Sequence, residues 1–235
     1  MTVSTFWSDA GTPGTTTIDG YHEQDTASQA WATKRDSTAS ITVPATSVSL
    51  RTLFRSDSTT DTWSHIFRSH LGFNTGPTIP SINVVSAAEL QFSANDRANA
   101  QWADSLSLVL STPTSNTAMA TADFNDFGTT KQATDVLFAD VVIDVATDTG
   151  TNAANKLVLN STGIGNIAKG SGVTNFGLRT AKENDTTANP GPTPWTASTS
   201  SELSIRSSDE ADVGVDTRPR LVVTHAVPGK FFTFL

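Results

Sequence analysis

Apolar residues recur at every second position through much of this chain. Leu106, Leu108 and Leu110 alternate with smaller side chains, and Leu203 and Ile205, then Leu221 and Val223, repeat the pattern. Side chains alternate faces along a strand, so each run predicts a strand with one buried face. The stretch Ile66 to Phe92, I-F-R-S-H-L-G-F-N-T-G-P-T-I-P-S-I-N-V-V-S-A-A-E-L-Q-F, carries two such patterns. In the first, Phe67, Leu71 and Phe73 share one side, while Ile66, Arg68, His70 and Gly72 take the other. Thr75-Gly76-Pro77 breaks the ladder, because Pro lacks an N–H and Gly permits positive φ. Ile82, Val84 and Val85, then Ala88, Leu90 and Phe92, follow. This reads as a hairpin whose apolar face needs a second sheet to cover it.

The remaining elements supply that sheet. Ile41, Val43, Val48, Leu50 and Leu53 predict a strand pair, with Pro44 at an edge or bulge. Val136 to Val145 predicts a strand rich in β-branched residues, and Thr174 to Thr180 another, with Phe176 and Leu178 inward. A short helix is expected within Thr121 to Phe124. A second runs from Ser161, its candidate N-cap, past inward Ile164 and Ile167 to Gly170 as the C′ residue. There is no internal repeat and no heptad pattern. The organisation expected is an N-terminal arm over 1–40, a β-sandwich of two antiparallel sheets over 41–227, and a terminal strand over 228–235.

With 235 residues, a single large all-β domain is in range. The formal net charge is −8 and the mean hydropathy −0.20. No basic run is present, which argues against a nucleic-acid backbone as partner. The chain has no cysteine, so disulfides and zinc–thiolate sites are excluded. The opening residues show no secretory signal, and no apolar run is long enough to span a bilayer, so neither export by signal nor a membrane partner is expected.

The search for chemistry gives little. His65 and His70 are an odd number of positions apart, which on one strand sets them on opposite faces. No His pair has ligand spacing, and the histidines read as structural or surface groups. Gly170-Ser-Gly172 is not a nucleophile elbow, and Gly163-Ile-Gly165 is not a dinucleotide fingerprint. No catalytic residue is assigned, and an enzyme is not expected. Asp209, Glu210, Asp212 and Asp216 cluster in one loop and are candidate calcium ligands, since calcium takes hard oxygen donors; the plainer reading is a solvated acidic loop. Among Trp7, Trp31, Trp63, Trp102 and Trp195, an exposed ring can stack on a sugar, and Trp31 and Trp195 are the candidates. The bland reading is that each covers a core edge or a subunit contact.

Five segments in order then resemble a known family: R-S-H-L-G-F-N-T-G (Arg68 to Gly76), I-P-S-I-N-V-V-S-A-A-E-L (Ile79 to Leu90), the helix Ser161 to Lys169, G-V-T-N-F-G-L-R-T (Gly172 to Thr180) and R-P-R-L-V-V-T (Arg218 to Thr224). Together they resemble the DNRLRE-type domain, which is similar to carbohydrate-binding modules of the alginate-binding kind. The resemblance covers roughly residues 40–226 and implies a jelly-roll sandwich. The closing run, Val215-Asp-Thr-Arg-Pro219, departs from the acidic-Asn-Arg-Pro run of that family. No glycan-binding residue of the family maps onto this chain by motif. The segments D-G-Y-H-E-Q (Asp19 to Gln24) and W-A-T-K-R (Trp31 to Arg35) also resemble the opening of standalone versions among tailed-phage structural proteins.

The last eight residues, Pro228-Gly-Lys-Phe-Phe-Thr-Phe-Leu235, end the chain on three Phe and one Leu. Phe231, Phe232, Phe234 and Leu235 need burial, either on an edge of their own sandwich or in a neighbouring subunit. The expected function is a non-enzymatic virion structural protein: a decoration, cement or fibre component. Its partners would be copies of itself and other virion proteins, with no cofactor unless calcium binds. The alternative is a carbohydrate-binding or host-adhesion module with a surface glycan as partner.

Overall fold

The computed structural model describes residues 1–8, 17–25, 27–38, 41–44, 49–99, 104–143, 155–184, 190–191, 194–208 and 218–229. In chain order the elements are β1 (Thr2–Trp7), β2 (Asp19–Gln24), β3 (Gln29–Ala30), α1 (Trp31–Asp36), β4 (Ile41–Pro44), β5 (Ser49–Ser56), β6 (Thr62–Phe73), β7 (Val84–Phe92), β8 (Ala94–Asn99) and β9 (Ser105–Ser111). A 3-10 turn at Thr121–Asn125 precedes β10 (Phe127–Lys131) and β11 (Val136–Leu137). Then come β12 (Asn155–Val158), α2 (Ser161–Gly165), β13 (Thr174–Thr180), α3 (Ala181–Asn184), β14 (Ser200–Arg206) and β15 (Arg220–Ala226).

These strands form an all-β sandwich of jelly-roll-like form. A four-stranded sheet runs β1-β15-β7-β12, and a larger one runs β10-β9-β13-β6-β5-β14-β8, with β2 and β3 also pairing β6, β4 pairing β2, and β11 pairing β9. The named strand pairs are antiparallel. The core between the sheets is built from the inward positions that the alternation marks: Leu71, Phe73, Leu90, Phe92, Leu106, Leu108, Phe176, Leu178, Leu203, Ile205, Leu221 and Val223. In β15 the alternation is unbroken, with Leu221, Val223 and His225 buried and the intervening residues half-exposed. That is the signature of a sheet with one face in the core and one in water.

Several expectations change. The hairpin of Ile66 to Phe92 is not a hairpin: β6 lies in the large sheet and β7 in the small one. The turn at Thr75-Gly76-Pro77 starts a connection that carries the chain across the sandwich. Thr75 Oγ1 donates to the Ala168 carbonyl (2.8 Å) and meets Thr174 Oγ1 (2.7 Å), pinning the crossing to the segment after α2. The arm expected over 1–40 is not a separate arm in its described parts, because β1 forms the edge of the small sheet and β2 pairs along β6. β4 pairs with β2, not β5. The strand expected over Val136 to Val145 gives way to a 3-10 turn at Phe138–Asp140 after two residues. The N-cap of α2 is Asn160, whose Oδ1 accepts from the Gly163 N–H at 3.0 Å, one residue before the expected Ser161. α2 ends at Gly165 with Asn166 as its C-cap, so Gly170, the expected C′ residue, lies beyond the helix, although its φ of +75° falls in the left-handed region.

β6 differs from β15 in having both faces buried from Ile66 onward. Leu71 and Phe73 enter the core between the sheets. Ile66, Arg68 and His70 point the other way, where α1, α3 and the 3-10 turn at Thr121–Asn125 cover the large sheet. The register shifts between Arg55 and Ser56 against β6, which sets Trp63 on the same face as Ile66. There Trp63 joins Trp31, Phe54, Ile66 and Phe124 in a second apolar cluster.

Candidate binding site

The chemistry of the described residues concentrates under that cover. Arg68 lies opposite His22 on β2, and Gly177 of β13 lies opposite His70, so four strand positions converge on one patch. Arg179, two residues beyond Gly177, shares its face. Phe127, at the start of β10, lies over the patch with its ring 4.2 Å from that of His70. Gly177 makes this possible, because a Cβ there would stand 2.3 Å from Phe127 Cδ1.

Arg68, Glu183 and Arg179 form a buried ion triad. Arg68 Nε donates to Glu183 Oε1, and Arg179 Nη2 donates to the same oxygen at 3.1 Å. The exposures are 3%, 0% and 3%. Arg68 also donates through Nη1 to the Phe124 carbonyl and through Nη2 to the Arg35 carbonyl (2.7 Å), and its guanidinium carbon sits 3.9 Å over the Phe124 ring. Burial pulls the Arg68 guanidinium down to about 10, against the opposing pull of Glu183, so it stays charged at neutral pH. Burial pushes the Glu183 carboxyl up, but Arg179 and Arg68 together hold it below its ordinary value.

The two histidines lie beside this triad. Burial takes His22 down to about 4 and His70 to about 3, with the neighbouring His22 adding to the second shift. Both are neutral imidazoles at physiological pH. His70 Nδ1 meets Ser111 Oγ at 2.5 Å; its Nε2 and both His22 nitrogens are buried without a hydrogen-bond partner of good geometry. Asp123 acts on both rings through space, and on His70 also through a backbone hydrogen bond of poorer geometry. Its carboxylate accepts from the Ala120 N–H (2.9 Å), the Thr114 N–H (3.0 Å) and Thr114 Oγ1 (2.8 Å), which fixes the 3-10 turn. Among the described residues no three His, Asp or Glu side chains are grouped as a metal site.

A cavity of about 150 Å³ opens at the edge of this layer. It is lined by Arg35, Asp36, Arg68, Asn125, Phe127, Thr129, Arg179 and Glu183. Asp36 takes the fork of Arg35 with both oxygens, each at 2.7 Å, and its side chain is 62% exposed.

The two tryptophans expected to stack on sugar occupy the second cluster instead. Trp31 is 5% exposed and packs edge-on against Phe54 (5.8 Å) and Trp63 (5.0 Å). It offers no open ring face, because α1 lays it against the sheet. Trp195 is half-buried, edge-on to Trp63 at 5.4 Å, with Nε1 donating to the Asp57 carbonyl at 3.1 Å. Among the described residues the exposed tryptophan is Trp7, at 39%, on the edge strand β1, with the Arg218 guanidinium 5.7 Å from its ring. Asp209, Glu210, Asp212 and Asp216, and Phe231, Phe232, Phe234 and Leu235, lie outside the described residues.

Sequence reasoning missed the triad and the histidine pair. Arg68 and His70 were visible on the non-core face of β6, but His22 sat in the expected arm and Glu183 in a segment to which no element was assigned. The signal available was that face itself: Ile66, Arg68, His70 and Gly72 are too apolar and too sparsely charged for a surface in water. Comparison with protein-family models gives no match, and comparison with curated proteins gives none either, so the resemblance to DNRLRE-type domains rests on the quoted segments alone.

Proposed function

We propose that the chain is a non-enzymatic virion structural protein, a decoration, cement or fibre component that packs against copies of itself and other virion proteins. The observation that carries this reading is an apolar rim at one end of the small sheet. Val3, Ile82, Val84 and Val227 are 65, 64, 55 and 63% exposed. Pairing brings them together: Val3 lies opposite Thr224 on β15, and Val84 lies opposite Ala226, next to Val227. Single exposed apolar residues are ordinary, but four on neighbouring strand ends form a patch suited to a subunit contact. The virion setting is supported by the resemblance of Asp19 to Gln24 and Trp31 to Arg35 to phage structural proteins.

Light scattering on the full chain and on a Val84→Asp/Val227→Asp variant tests the reading. A multimer that becomes a monomer, with its circular dichroism unchanged, supports it. A monomer in both cases removes it.

The alternative, a carbohydrate-binding or adhesion module, is favoured by the outer face of the small sheet. A row runs across it from Trp7 to Arg220, Gln91 and Lys156, each opposite the next, with Arg220 Nε donating to Gln91 Oε1 at 2.7 Å. One exposed ring beside a flat polar ladder suits a sugar chain. Loss of glycan-array signal on Trp7→Ala supports this reading, and no signal from the parent chain removes it.

A further inference from the structure

We propose that β1 pairs with β1 of a second copy of this chain, joining two small sheets edge to edge across a two-fold axis at Thr5. This deepens the reading of the chain as a protein that packs against copies of itself, and rests on it.

β1 ends the small sheet, with β15 on one side and no strand on the other among the described residues. Edge strands normally carry a device against further pairing: a charge, a proline, a bulge or shortness. The other strands that end the two sheet orders each have one. β12 is four residues long and carries Lys156. β10 has Lys131 and a register shift against β9; β8 has Asp96, Arg97 and a register shift against β14. β1, Thr-Val-Ser-Thr-Phe-Trp, has none of these. It holds no charged residue, proline or glycine, and its register is unbroken from Thr2 opposite His225 to Trp7 opposite Arg220.

The backbone fixes what this edge offers. The Ser8 N–H donates to the Pro219 carbonyl at 3.3 Å. Along an antiparallel strand, the N–H and C=O of successive residues point to alternate sides. Thr2, Ser4 and Phe6 therefore turn theirs toward β15, while Val3, Thr5 and Trp7 turn theirs to the free edge. The side chains of those same three lie on the outer face, because Phe6 enters the core.

The occupant follows from that pattern. Residues directly opposite in an antiparallel pair share a face, so a symmetric pairing is centred on one residue. Centred on Thr5, it sets Val3 opposite Trp7 of the second copy and Thr5 opposite Thr5. Every edge-facing N–H then meets a carbonyl. Centred on Ser4, it would set Trp7 opposite Met1, outside the strand. The Thr5 register also puts an aromatic ring against a β-branched side chain on each side of a Thr–Thr pair, and both combinations are favourable across strands. No charges oppose one another. Val3 and Trp7, 65 and 39% exposed, gain cover. Val3 belongs to the apolar rim, so the second copy's Trp7 continues that rim into one contact.

The test combines cross-linking, light scattering and amide exchange on the full chain. The chain has no cysteine, so Thr5→Cys introduces a single thiol. At the axis the two Cα atoms lie about 5.5 Å apart, within reach of a disulfide or a short bis-maleimide. Thr5→Cys is expected to give a covalent dimer and Thr2→Cys none. Thr5→Pro removes an edge-facing N–H and no bond to β15, so it is expected to lower the mass with circular dichroism unchanged. In the concentrated parent chain the Val3, Thr5 and Trp7 amides are expected to exchange roughly tenfold more slowly than on dilution. If Thr5→Pro does not fold, the cross-link and the exchange decide. A multimeric parent with no Thr5→Cys cross-link, or with those amides exchanging equally fast at both concentrations, overturns the pairing and leaves the rim reading standing. A parent that is a monomer throughout overturns both.

Discussion

His22 and His70 meet ring to ring across the β2–β6 pairing, centroids 4.8 Å apart and planes at 76°. Both lie under Phe127 with no water-facing edge, at 0% and 1% exposure. The unfolded chain takes up a proton on each near pH 6.5, the folded chain only near 4 and 3. The unfolded state therefore binds more protons below about 6.5, and stability falls on acidification by about 1.4 kcal/mol per pH unit for each ring. Asp104 opposes this: burial pushes its carboxyl up to about 6, so its contribution improves as pH falls below that value. Urea midpoints at pH 7 and pH 5 are expected to drop for the parent chain. They are expected to drop much less for His22→Gln/His70→Gln. Equal drops would show that the pair is not held neutral.

Removing Glu183 leaves two buried guanidiniums facing each other. Glu183→Gln is expected to cost about 3–5 kcal/mol, as for other broken buried ion pairs. Denaturant unfolding measures it. A loss below about 1 kcal/mol would mean that solvent reaches the triad.

Gly177→Ala tests the packing of Phe127. The added methyl meets the ring at Cδ1 (2.3 Å) and Cε1 (2.6 Å) and approaches Val109 Cγ2 (3.2 Å). The ring must leave His70 or the strand must shift, at about 1–3 kcal/mol. An unchanged midpoint would show that Phe127 moves aside freely.

The tryptophans separate by role. Trp31→Ala empties a buried aromatic cluster and is expected to cost about 3–5 kcal/mol. Trp7→Ala, at a half-exposed edge, is expected to cost far less. A calorimetric scan of both variants checks the order, and the reverse order would mean that β1, not α1, anchors its tryptophan more firmly.

The alternation along β15 was enough to identify its core face, because the other face is half-exposed; along β9 and β14 the same alternation marks the core face although both faces are largely buried. The division of β6 into Phe67, Leu71 and Phe73 against Ile66, Arg68 and His70 is the one that the sheet shows. What covers the second face was not legible, since Glu183 and Phe124 come from segments with no periodicity of their own. Nor was the crossing from β6 to β7: a Gly-Pro turn ends a strand in the same way whether the chain folds back beside it or passes to the opposite sheet. Trp31 could be named only as a candidate for either an exposed ring or a covered core edge, because α1 is only six residues long. Its burial depends on Phe54 and Trp63, which are remote in sequence.

The pairing of β1 with β15 joins the beginning of the described chain to its end: Ser4 Oγ and His225 Nε2 meet at 2.9 Å across 221 positions. On a ribosome adding about 5–20 residues per second, β1 waits roughly 10–45 s for β15, its one sheet neighbour among the described residues, to be made. Throughout that interval Phe6, destined for the core, and Trp7 beside it stay available to other nascent chains. The synthesis of β15 therefore sets the moment at which β1 stops being a hazard.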